Sequence, residues 1–247
     1  MVLELIIAAT VLVSLVSVLG LFVLSFREKI LHTTLFLLIS LATGTLLGSA
    51  FLDLLPESLE KIDVKFGLVL TLSGIVVFFI IEKLIHWHHH HNHKHEKEEK
   101  PLAYLSLIGD GVHNFFDGAA IAASFMVDPQ IGFTTTFAII LHEIPQEIGD
   151  FSLLIYSGFS KTKALVYNFL SGILSVAGAL AFYYLSPLVE HSESLALAFT
   201  AGAFIYIAAA DLVPEIHKEK EWKKSFLQLL TVLVGVTLIW IIVTYIE

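Results

Sequence analysis

The sequence predicts an all-α, polytopic membrane protein with eight transmembrane helices in a 3+2+3 inverted-repeat arrangement. Three observations lead there. First, the 247 residues are 56% hydrophobic and 15% charged, with a mean hydropathy of +0.83, which is more apolar surface than a globule of this size can hide. Second, the apolar residues fall in eight runs near or above the roughly 20 residues that cross a hydrocarbon core of about 30 Å. Third, the Lys and Arg residues collect in alternate connections. Lipid is therefore the solvent, and a soluble enzyme is excluded. The absence of cysteine excludes thiolate chemistry, so any metal must be held by His, carboxylate or amide groups. The net charge of −9 argues against nucleic acid as a partner and points to cations.

Taken in order, the runs cover 2–26, 31–55, 66–85, 101–126, 131–157, 163–186, 194–215 and 225–246, one transmembrane domain over 1–247. The first has only Glu4 as a charge, no basic residue before it and more length than a signal peptide's apolar core, so it reads as a retained span. The second ends in Asp53-Leu-Leu-Pro56-Glu57 and the seventh in Asp211-Leu-Val-Pro214-Glu215. That shared ending, on helices running in opposite directions, marks an inverted repeat of three spans around a central pair. With the N-terminus outside, the inner connections take Arg27 and Lys29; Lys83, Lys94, Lys97 and Lys100; Lys161 and Lys163; and Lys218, Lys220, Lys223 and Lys224. Only Lys61 and Lys65 remain outside, so both termini are expected to be external.

The central pair carries the chemistry. No basic residue stands between Lys100 and Lys161, yet Asp110, Asp117, Glu143, Glu147 and Asp150 all fall inside predicted helices. Each intramembrane carboxylate costs about 2.5–3.5 kcal/mol on insertion scales, so cationic partners are required: protons, basic groups from elsewhere, or a metal. Spacing favours metal. On the fourth span Asp110, His113, Asn114 and Asp117 share one helical arc, with His113 and Asp117 one turn apart. On the fifth, His142 and Gln146 are at i,i+4, with Glu143, Glu147 and Asp150 on the neighbouring stripe. Antiparallel packing would bring both clusters to one depth. Imidazole plus carboxylate without sulfur suits Zn²⁺, Fe²⁺ or Mn²⁺. Pro145 frees the Leu141 carbonyl at the same depth.

The segments His113-Asn-Phe-Phe-Asp-Gly118 and His142-Glu-Ile-Pro-Gln-Glu-Ile-Gly-Asp150 resemble the paired signatures of the Zrt/Irt-like protein (ZIP) family of divalent-metal transporters. Eight spans, external termini and a His-rich loop after the third span are similar too. The resemblance implies a two-metal centre: His113, Asp117, His142 and Gln146 at one site, and Asn114, Asp117 and Glu143 at the other, with Asp117 bridging. It also implies a homodimer. Gln146 stands where His or Glu is usual, and Ser175 where some relatives place a glutamate. A ligand near Thr45 does not align. On this footing the expected function is transport of divalent metal, chiefly zinc, with Fe²⁺, Mn²⁺ and Cd²⁺ as other cargoes, into the cytosol across a cytoplasmic membrane by alternating access.

Further residues mark expected routes. Asp53 and Glu57 close the second span outside, Asp211, Glu215 and His217 close the seventh inside, and Asp110, Glu147 and Asp150 lie toward the inner half as release-path groups. The cytosolic loop 86–100 contains His86, His88, His89, His90, His91, His93 and His95, a tract that binds metal weakly in several registers and suits a receiver or sensor. Two other functions compete. An intramembrane metalloprotease would need a second histidine where Gln146 stands. A metal receptor would bind without moving ions.

Overall fold

The computed structural model describes residues 2–19, 28–87 and 99–245, and among them the regular structure is entirely helical. The helices are α1 (Val2–Val16), α2 (Glu28–Ser49), α3 (Leu55–Lys61), α4 (Val64–Trp87), α5 (Glu99–Val127), α6 (Pro129–Tyr156), α7 (Lys161–Gly172), α8 (Leu174–Leu185), α9 (Ser192–Tyr206), α10 (Val213–Ile216) and α11 (Trp222–Tyr245). Wider π-turns at Ala50–Leu54 and Ile207–Leu212 join α2 to α3 and α9 to α10 into continuous rods. Among the described residues, six helical stretches are long and apolar enough to cross a membrane: Val2–Leu19, Leu35–Lys61, Val64–Lys83, Lys161–Leu188, Ser192–Ile216 and Trp222–Tyr245. Helices α5 and α6 have 29 and 28 residues, but their polar groups keep them out of that set.

The interior is organised around α5 and α6. Ser124 faces Thr135, His113 faces His142, Gln146 bonds Asp110 and Ser106 bonds Asp150. One number rises as the other falls, so the two helices are antiparallel with their central polar residues level. Asp128 is the hinge between them: its carboxylate accepts the Gln130 N–H at 2.7 Å and caps α6. Around this pair α1 and α8 pack together, α5 packs on α8, α6 on α1, α2 on α6 and α9 on α5, while α4 lies against α9 and α11 against α2. Only 17% of the α11 span is buried, leaving its apolar side chains outward.

Three crossings among the described residues depend on the absence of a side chain, one of them α4 on α9, where Cβ atoms at Gly74 and Gly202 would strike the Phe199 and Thr71 carbonyls. A Cβ at Gly118 would strike the Ser175 backbone, and one at Gly178 would strike the Phe115 backbone, so α5 and α8 touch main chain to main chain. Gly44 on α2 meets the Val232 carbonyl of α11 in the same way.

The helix interruptions have local causes. Pro56 and Pro214 each lack the N–H that a carbonyl four residues earlier requires, and each follows a π-turn that absorbs the mismatch. The sixth apolar run is broken at Ile173, where the Ser14 hydroxyl of α1 donates to the Gly172 carbonyl at 2.8 Å. The His-rich tract, with His88, His89, His90, His91, His93 and His95, lies outside the described residues.

Candidate metal centre

Four side chains converge where α5 and α6 face each other. The Nε2 atoms of His113 and His142 are 3.1 Å apart. Asp117 Oδ2 lies 3.7 Å from the first and 3.3 Å from the second, and Glu143 Oε1 lies 3.5 Å from both. The sequence explains the convergence: His113 and Asp117 stack at i,i+4 on one helix, and His142 and Glu143 are adjacent on its antiparallel partner. Asp117, His142 and Glu143 are buried. His142 Nδ1 sits 3.2 Å from the Ala138 carbonyl. A carbonyl only accepts, so in the neutral ring Nδ1 carries the hydrogen and the Nε2 lone pair faces the other three groups.

A second group adjoins the first. Asp110, Glu143 and Glu147 each offer an oxygen within 4.8 Å of the others. Asp110 accepts from Ser171 Oγ, from Asn114 Nδ2 at 3.1 Å and from Gln146 Nε2 at 3.1 Å, while Asn168 Nδ2 donates to Glu147. Asp150 accepts from Ser106 at 2.7 Å. Buried oxygens of Asn114, Asp117, Glu143 and Glu147 have no hydrogen-bond partner, an expensive arrangement unless something electropositive visits.

Two cavities adjoin the site. A cavity of about 540 Å³ runs from His113, His142 and Gln146 past Asp110 and Asp150 to Glu82, Tyr206, Asp211 and Glu215. Phe78, which also lines this cavity, meets the His113 ring in a T-shaped contact at 5.7 Å, and Phe204 packs beside His142 at 6.1 Å. Phe78, Phe116, Phe199 and Phe204 enclose an apolar pocket of about 190 Å³ that reaches Asp117.

Of the residues singled out from the sequence, His113, Asp117, His142 and Glu143 stand together. Asn114 and Gln146 lie beside them with their amide nitrogens on Asp110. Asp211 and Glu215 line the cavity with Asp110 and Asp150; Asp53 is buried in its π-turn, and neither it nor Glu57 lines that cavity. The groups of the sixth run that reach the acids are Ser171 and Asn168, not Ser175, whose backbone is taken up by the Gly118 crossing. Sequence reasoning also missed Glu82, whose carboxylate accepts the Tyr206 hydroxyl on the cavity wall. A lone acid near the end of an apolar run was its only signal.

A family model described as ZIP zinc transporter matches residues 2–102 and 87–243. The chain is 35% identical over 216 residues to zinc transporter ZIP13 of Pongo abelii, covering 81% of this chain and 64% of that protein. It is 33% identical over 238 residues to zinc transporter YKE4 of Saccharomyces cerevisiae, covering 82% and 69%. Against zinc transporter zipt-7.2 of Caenorhabditis elegans the identity is 35% over 150 residues, 59% of this chain and 32% of the relative. The chain thus spans under two thirds of the length of some of these proteins.

Proposed function

The chain belongs to the ZIP zinc transporter family, and from that premise we propose that it carries a divalent transition metal, chiefly zinc, into the cytosol through the site between α5 and α6. The observation that carries the reading is the geometry of four donor atoms. Zinc with N or O ligands at about 2.0–2.1 Å in a tetrahedron needs ligands about 3.3–3.4 Å from one another. Five of the six separations here are 3.1, 3.3, 3.5, 3.5 and 3.7 Å. A zinc ion would therefore be held by His113, Asp117, His142 and Glu143 with little movement. It would also neutralise carboxylates that no Lys or Arg between residues 101 and 160 can reach from these helices.

Fe²⁺, Mn²⁺ and Cd²⁺ are further cargoes of such a donor set. The metal is the substrate, and moving it needs no covalent chemistry. An eight-span, three-two-three inverted arrangement is supported by the two Asp-Leu-x-Pro-Glu endings, each beside its own π-turn. It is supported too by packing that exchanges in pairs: α2 with α11 against α9 with α4, and α1 with α6 against α8 with α5. Alternating access fits a site reached by an acid-lined cavity. The acid-lined cavity would give the metal a route past Asp211 and Glu215, which the charge asymmetry puts on the cytosolic side, while Phe116, Phe199 and Phe204 line an apolar pocket beside Asp117.

Uptake of radioactive zinc into proteoliposomes tests the reading. Saturable uptake is expected for the wild-type chain and none above protein-free vesicles for His142→Ala. Zinc binding without uptake by the wild type would instead make the protein a receptor.

A further inference from the structure

Away from the metal centre, α2, α10 and α11 enclose a cavity of about 570 Å³, within the range of about 300–1,000 Å³ usual for small-molecule sites. Phe36, Ile39 and Leu227 are among its apolar walls, and its charges are two carboxylates, Glu215 and Glu219, and two ammonium groups, Lys218 and Lys224. Lys218 donates to Glu215, and Lys224 Nζ lies 3.6 Å from Glu219. Such pairs at the surface are weak and open easily. One polar group on the wall is unmatched. Gln228 lines the cavity and is 4% exposed, and its Oε1 has no hydrogen-bond partner among the described residues. A buried acceptor left bare is costly, so the cavity calls for a donor. Its depth says where the donor comes from. Trp222 is 79% exposed and packs on Phe226, which sets the first turns of α11 at the headgroup level where aromatic belts sit. Gln228 follows Lys224 by about one helical turn, at the boundary between headgroups and acyl chains.

We propose that this cavity seats the headgroup of a phospholipid whose amine carries hydrogens, phosphatidylethanolamine. Its ammonium donates to Gln228 Oε1 and faces Glu215 and Glu219, its phosphate faces Lys218 and Lys224, and its acyl chains follow Phe36, Ile39 and Leu227 into the bilayer. Two acids and two lysines match a zwitterion. An anionic headgroup would leave the carboxylates opposed, and the methylated amine of phosphatidylcholine has no hydrogen to give Gln228. The transport reading supplies only the leaflet, since it makes the end holding Lys218 and Lys224 cytosolic. Glu215 also lines the cavity of the metal centre, so the seated lipid stands against a shared wall.

Native mass spectrometry of the full-length chain tests this without zinc, the protein being released from detergent micelles with equal amounts of phosphatidylethanolamine and phosphatidylcholine of matched acyl chains. The wild type should retain the first at least about fivefold over the second, as one charge-assisted hydrogen bond allows. Gln228→Leu keeps the bulk and removes the acceptor, so it should abolish the preference; Gln228→Glu restores an acceptor and should bring it back. Equal retention of the two lipids by the wild type, or an unchanged preference in Gln228→Leu, overturns the proposal. Stronger retention of phosphatidylglycerol than of phosphatidylethanolamine in parallel micelles also overturns it, by showing the lysines at work alone. So does a dimer that carries neither lipid, which would put a second copy of the chain on this face. If Gln228→Leu elutes as aggregate, Gln228→Met, unbranched like glutamine, decides by the same ratio. A chain that prefers phosphatidylethanolamine but moves no zinc would sink the transport reading alone, and one that moves zinc without the preference would sink this site alone.

Discussion

At the scale of single residues, chemistry is decided by which donors are left without partners. Asp117 and Glu143 are buried beside two imidazoles and far from Lys or Arg in sequence. Asp117→Ala should reduce zinc uptake to background while the protein still reaches the membrane, since a small side chain in place of a carboxylate removes a ligand without adding bulk. Normal flux would undo the assignment. Asn168 holds Glu147 from the sixth run. Its replacement by alanine leaves a buried carboxylate oxygen unmade, at a cost of about 1–3 kcal/mol, visible as a lower melting temperature in detergent. That the clusters around His113 and His142 meet at one depth was legible in the sequence, because it follows from helical spacing and one antiparallel pairing; that Glu143 rather than Gln146 groups with His113, Asp117 and His142 was not. The orientation of Gln146 was not, because its amide is decided by Asp110 across the interface. Nor was the register of the sixth run, where Ser171 rather than Ser175 meets the acids: both serines sit in similar small-residue surroundings, and only the Gly118 crossing separates them.

At the scale of helices, apolar length made the elements readable and hid their interruptions. The π-turns before Pro56 and Pro214 insert a residue without changing composition, so hydropathy passes over them. The break at Ile173 is likewise invisible without Ser14 of α1 as a partner. Two glycines on the central pair should behave in opposite ways. Gly118→Leu drives a side chain into the Ser175 backbone and should abolish monodisperse protein in size-exclusion chromatography. Gly149→Ala meets nothing within 4 Å and should leave yield and zinc uptake at the wild-type level, with a gain in helix propensity of up to about 1 kcal/mol.

For the whole molecule, the placing of polar groups inside an apolar shell matters most. Lipid-facing helices such as α11 surround the central pair, and inside them a cavity runs from His113 and His142 to Asp211 and Glu215. On the transport reading, the His-rich tract of the sequence, His88 to His95, is expected to bind metal weakly. Deleting residues 88–95 should change the apparent affinity or regulation of zinc uptake and spare transport itself; complete loss in the flux assay would show the tract to be part of the path.

The whole account depends on a dication being held by imidazole and carboxylate where α5 meets α6. X-ray absorption at the zinc edge, on purified protein loaded with one equivalent of zinc, reads that environment directly. The account predicts nitrogen and oxygen neighbours at about 2.0–2.1 Å with an imidazole signature, and loss of that signature in the His113→Ala, His142→Ala double variant. An unchanged zinc spectrum in the double variant would contradict it.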